Sequence, residues 1–335
     1  MKKVLLATTV LALSASVAAA EVKLSGNARM GVVYNGDSAN NKLQFSSRIR
    51  ASISMSGETD NGLAFGGSFG VHDAGDAANG SAGTLFISGA FGKLTMGDVV
   101  GAAEEVIGDL PEIGFQDLVG DGKRSSTDND TLFITGDGAV YASAQNPGAL
   151  YTYSTGGLTF ALGMNDGADN TVGGKSSALT PSPAIADRVQ AYSVGVKYAM
   201  DGYSVSLGYE VADPQGPTAS SKHLIVGGTA TFGTTTVSAF YGDGSGAIND
   251  VKHYGIGVSH KVDALTVKGY VKRTEATGLF VTVPATPATT VQKVTAYGIG
   301  ADYALGGGAT LSGGIVDNNI PGSKVRADLG IKFSF

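Results

Sequence analysis

The sequence predicts an all-β chain: a 16-stranded antiparallel transmembrane β-barrel with an inward-folded third external loop. Three observations predict it. Apolar and polar residues alternate with period two in one segment after another, and the connections between those segments alternate short and long. The last segment, Val325 to Phe335, alternates without a break to its final residue. Period-two alternation marks a strand with one wet face. Short turns at one end and longer loops at the other mark an outer-membrane barrel.

Composition fits many strands joined by glycine-rich turns. There are 51 glycines, 13 Tyr and 13 Phe, but only 9 prolines and no collagen-like triplets. The absence of cysteine leaves nothing for an oxidising compartment to cross-link. Residues 1–20 carry Lys2-Lys3, an apolar run from Val4 to Val17 and Ala18-Ala19-Ala20, the pattern of a cleaved secretory signal. The run is too short for a membrane helix, which needs about 20 apolar residues. Cleavage there would leave residues 21–335 as one barrel domain with a net charge of −8. An acidic exported chain is a poor nucleic-acid binder, because that function needs a basic patch. After the signal, no run is long enough for a membrane helix, but barrel strands average near zero hydropathy and escape that test.

Taken in order, Glu21–Tyr34 puts Val22, Leu24, Ala28, Met30 and Val32 on one face and Lys23, Ser25, Asn27 and Arg29 on the other. Leu43–Met55 sets Phe45, Ile49 and Ile53 against Ser46, Arg48, Arg50 and Ser52, and Leu63–Val71 continues the pattern. Shorter strands are expected at Thr84–Gly89 and Lys93–Gly97. Beyond a long connection come Ala149–Thr155, Leu158–Met164, Arg188–Tyr198, Tyr203–Val211 and His223–Phe232. Thr235–Tyr241, Val251–Val262, Leu265–Arg273, Val291–Tyr303, Ala309–Asp317 and Val325–Phe335 complete sixteen. An even number returns both ends to the short-turn side. In lipid, every unpaired backbone group costs several kcal/mol, so such a sheet must close. Tyr34, Tyr198, Tyr203, Tyr209, Tyr241, Tyr254, Tyr297 and Tyr303 share outward parity near strand ends, as an interfacial girdle requires.

The long connection, about residues 99–140, has no sustained apolar period and holds nine carboxylates against Lys123 and Arg124. A stretch this long without regular structure is usually functional or disordered. We read it as an acidic loop folding into the bore and narrowing it. Asp128-Asn129-Asp130, with Asp117 or Asp121, offers oxygen ligands for calcium, but without EF-hand spacing a solvated acidic turn explains it better. No other cofactor is expected. Gly66-Gly67-Ser68-Phe69-Gly70 matches G-x-S-x-G, yet it lies within an alternating strand and not at a strand-to-helix elbow. Gly173-Gly174-Lys175-Ser176 lacks the first glycine of a phosphate loop. The four histidines show no metal-binding spacing. No enzymatic activity is read from these residues.

Four passages carry a family resemblance: EVKLSGNARMGVVYNG (Glu21–Gly36), FSSRIR (Phe45–Arg50), GDVVGAAEEVIGDLPEIGFQDL (Gly97–Leu118) and GGGATLSGGIVDNNIPGSKVRADLGIKFSF (Gly306–Phe335). In that order they resemble the trimeric general-diffusion porins of the purple-bacterial (alphaproteobacterial) type. The resemblance implies a homotrimer in a Gram-negative outer membrane, in contact with its lipid and lipopolysaccharide. It also implies passive passage of ions and small hydrophilic solutes through a charged eyelet. Arg29, Arg48 and Arg50 fall at the family's basic wall positions, and Glu104, Glu105, Asp109, Glu112 and Asp117 are expected on the facing loop. By the same analogy residues 72–83 would latch onto a neighbouring protomer, and terminal Phe335 resembles the outer-membrane assembly signal. A solute-selective porin would need a lumenal aromatic track, for which inward Tyr270 is a lone candidate. A structural anchor or adhesin would need a plugged bore or an extra domain.

Overall fold

The computed structural model describes residues 20–38, 42–72, 83–116, 133–136, 148–165, 189–214, 220–246, 251–276, 292–319 and 324–335. Sixteen strands form one closed sheet: β1 (Glu21–Asn35), β2 (Leu43–Glu58), β3 (Ala64–His72), β4 (Thr84–Gly89) and β5 (Gly92–Gly97). Next come β6 (Gly148–Thr155), β7 (Leu158–Asn165), β8 (Val189–Met200), β9 (Tyr203–Pro214) and β10 (Ser221–Phe232). The wall is completed by β11 (Thr235–Ser245), β12 (Val251–Val262), β13 (Leu265–Ala276), β14 (Gln292–Gly306), β15 (Ala309–Asp317) and β16 (Arg326–Ser334). Every strand pairs antiparallel with its neighbours in sequence, and β1 pairs with β16 to remove the edge. The seam runs on to the chain end, where Phe335 N–H donates to Gly26 O and Gly26 N–H to Phe335 O.

The two faces follow the sequence parity. Val22, Leu24, Phe45, Leu85, Leu162, Val205, Ile256, Ile299 and Leu329 are exposed on the outer face, as are all eight girdle tyrosines. This is the reverse of a soluble fold, whose apolar faces turn inward. Sequence and structure differ in one element. The stretch read as wholly irregular contains a helix, α1 (Ala102–Ile107), bounded by Gly101 and by Gly108 at φ +72°. Six residues give less than two turns, too few for a helical period to show.

The buried apolar contacts lie inside the barrel. Ala103, Leu110, Ile113 and Phe133 from the long connection pack on Ile225, Phe240, Tyr270, Ala296 and Val316 of the wall. A second group joins Val99, Ala102 and Val106 to Leu150 and Ala161. Residues 1–19, the proposed latch from 73 to 82, and Asp117, Asp121, Asp128, Asp130 and Asp137 of the acidic stretch lie outside the described residues. So does Gly173-Gly174-Lys175-Ser176.

Candidate functional site

Residues 98–116 follow the inner wall through half the barrel, and inward-facing glycines make their seat. A Cβ on Gly208 of β9 would stand 2.6 Å from Ala103 Cβ, and one on Gly195 of β8 would stand 2.7 Å from Val106 Cγ2. Gly227 of β10 meets Ile107, Gly255 of β12 meets Leu110, and Gly300 of β14 meets Ile113. Gly330 of β16 and Gly31 of β1 both meet Phe115. A segment touching the same face of so many strands of a closed barrel can do so only from within. Ala102 N–H donates to Ser193 Oγ on β8 at 2.8 Å and fixes the start of α1.

Two carboxylates on the wall hold the segment's two legs. Asp328 of β16 accepts from Phe115 N–H at 2.9 Å and Gln116 N–H at 3.0 Å. Gly114, at φ +89°, turns those amides toward it in a conformation that L side chains rarely adopt. Glu210 of β9, fully buried, accepts from Ile134 N–H and Thr135 N–H at 3.1 Å each and from Thr135 Oγ1 at 2.5 Å. His223 of β10 backs Glu210 at 2.7 Å and meets His253 of β12 at 2.8 Å, nitrogen to nitrogen.

At Gln116 the segment meets a row of cations. Arg29 on β1 lies directly opposite Arg48 on β2 and Lys332 on β16, while Arg50 lies opposite Asn27. Three like charges on adjacent rungs oppose sheet stability, so packing is a poor reason for their presence. Arg29 Nη1 donates to Gln116 O at 3.1 Å, and Gln116 Nε2 donates to Ser46 Oγ on β2. Lys332 also reaches Asp302 at 3.5 Å, and Asp302 pairs with Lys268 at 2.8 Å.

All three sequence-predicted arginines are half-buried on the inner face, on the neighbouring strands β1 and β2. Glu105, Asp109 and Glu112 are exposed, whereas Glu104 is only 8% exposed. Asp117, Asp128 and Asp130 are outside the described residues, and among the described residues no three His, Asp or Glu side chains are grouped to hold a metal ion. Tyr270 faces inward but is buried beneath the segment, where Gly298 brings it close to Ile113. It therefore offers solutes no stacking surface. Sequence reasoning missed Glu210, His223, His253 and Asp328, and it missed the glycine seat. The available signal was apolar residues at inward parity, such as Ile225, Phe240 and Val316, with glycine two residues away on the same or the next strand.

A closed barrel with an apolar outer face and a polar bore is the architecture of an outer-membrane channel. The chain belongs to the Gram-negative porin family, whose model matches residues 7–320. It is 42% identical to a porin of Rhodobacter capsulatus over 335 residues, covering 94% of this chain and all of that one. A porin of Fuscovulum blasticum is 27% identical over 327 residues with the same coverage. Among solved structures, a porin refined at 1.8 Å resolution matches with TM-score 0.75 and 38% identity, over 94% of this chain and all of that chain. A mutant of Rh. blastica porin, 24% identical, shares the fold at TM-score 0.67, again over 94% of this chain and all of that chain. The protein is thus an outer-membrane diffusion channel of a Gram-negative bacterium and not an enzyme.

Proposed function

We propose that the channel is filtered at a charged constriction formed by Arg29, Arg48 and Arg50 on one side and the carboxylates of the inward segment on the other. Glu105, Asp109 and Glu112 have the exposure this role needs. Glu104, which is buried, and Asp117 complete the acidic stretch. The observation that carries the reading is the contact of Arg29 with Gln116 O, where the acidic segment meets the basic row. Fixed charges of opposite sign across a narrow opening bias which ions enter, and their transverse field opposes solutes that carry little polarity. The acid excess of the segment favours cations mildly. Within this reading residues 1–20 are the export signal, Phe335 is the assembly signal, and three copies assemble among lipopolysaccharide and outer-membrane lipid. Asp128 and Asp130 are weak candidates for a bound calcium ion.

The test is single-channel conductance in a planar bilayer under a salt gradient. Wild-type protein should open in groups of three and conduct ohmically. Arg48→Ala with Arg50→Ala should raise conductance and move the reversal potential toward cation preference. An unchanged reversal potential and conductance in that double variant would remove both arginines from the constriction.

A further inference from the structure

We propose that Glu210 is a positioning residue of the pore. It fixes the returning leg, residues 133–136, against the wall and so sets the opening that solutes meet, while His223 and His253 buttress its carboxylate from behind. The proposal rests on the reading of the inward segment as the constriction.

Glu210 has no spare capacity for a solute. Its two oxygens take Ile134 N–H, Thr135 N–H, the Thr135 hydroxyl and His223 Nδ1, and the side chain is fully buried. Its work is therefore internal to the fold. The leg it holds is otherwise tied to the outgoing leg by a bridge between Val100 and Gly136, and to the wall by the burial of Phe133 and Ile134. Hydrogen bonds to an ionised carboxylate are roughly twice as strong as those between neutral groups, so the charge on Glu210 sets how firmly the leg is held.

The groups behind Glu210 fix where that charge resides. His223 lies directly opposite Glu210 across β9 and β10 and must present a proton to the carboxylate. The 2.8 Å contact between His223 Nε2 and His253 Nε2 holds a single proton. With both rings neutral, that proton is on His253, and His253 Nδ1 is a bare lone pair. Nδ1 is buried and has no hydrogen-bond partner. The rings sit 5.0 Å apart, Phe240 closes one side at 5.2 Å, and Gly242 of β11 leaves the space. A Cβ on Gly242 would approach His223 Nε2 to 2.7 Å. On β8 the residue opposite Glu210 is Ser193, and β13 carries the buried Lys272, whose charge acts on His253.

The experiment records single-channel current noise, the exclusion limit for graded polyethylene glycols, and amide exchange of residues 133–136. It uses wild type, Glu210→Gln and Thr135→Val. Wild type should be steady. Glu210→Gln should be noisy, admit larger polymers, and exchange its residue 134 and 135 amides at least about tenfold faster. Thr135→Val, which leaves the wall intact, should shift the same readouts less. Wild-type exchange in Glu210→Gln overturns the proposal. Faster exchange with an unchanged exclusion limit and conductance overturns the constriction reading, and with it any role for Glu210 in pore size.

Discussion

Asp328 does for the outgoing leg what Glu210 does for the return, and it illustrates what a single residue hides from the sequence. Along β16 it is one polar position in a regular alternation, indistinguishable from lumen charges that merely face water. Its meaning comes from Gly114, 214 positions away, whose left-handed turn delivers two amides to one carboxylate oxygen. Arg29, Arg48 and Arg50 were legible because parity alone assigns a long cation to the wet face. His223 and His253 were not, since all of β11 and the connections on either side of it separate them, and only the register brings their rings together. Replacing Asp328 by Ala leaves two buried donors without an acceptor, which costs about 1–3 kcal/mol. Urea unfolding in vesicles should show that loss, and a normal midpoint would mean that water or a neighbouring group replaces the carboxylate.

At the scale of elements, all sixteen expected strands are present, with ends moved by a few residues. The apolar faces of these strands could be read from period two. The inner face was read only as polar, and the glycines on it as positions that meet water. Their common property is three-dimensional: on successive strands they lower the wall along one track, and α1 and the residues after it lie in that track. Burying Phe115, Ile113 and Phe133 there is worth about 1.5–3 kcal/mol for each side chain, enough to keep the segment on the wall. Gly208→Ala tests the seat. The new methyl would stand 2.6 Å from Ala103 Cβ and 2.9 Å from its Cα, so the segment must move toward the bore. Single-channel conductance should fall. Gly269→Ala, on the outer face with only Gly298 O near at 3.3 Å, should leave it unchanged. Equal conductance in both variants would mean that the wall yields in place of the segment.

For the whole molecule, the wall is uneven in height, and that bears on assembly. Strands β8 to β13 run for 11 or 12 residues, but β4 and β5 have six each. A tilted membrane strand needs about 9–11 residues to cross the hydrocarbon. Six residues extend about 20 Å along the strand and rise less than the roughly 25 Å apolar band of an outer-membrane barrel. The low side still presents Leu85, Ile87 and Met96 outward. Contact with lipid there would leave polar rims at hydrocarbon depth, whereas a second protomer covers them. We therefore expect this side to be the protomer contact. Leu85→Arg should convert the assembly to monomers, read as a threefold fall in protein mass by light scattering in detergent. Ile299→Arg, 61% exposed on β14 across the barrel, should hinder insertion into lipid yet leave the mass of the folded fraction unchanged. If wild-type protein is already monomeric, or Leu85→Arg keeps the wild-type mass, the low wall must face lipid, and local thinning of the bilayer would have to accommodate it.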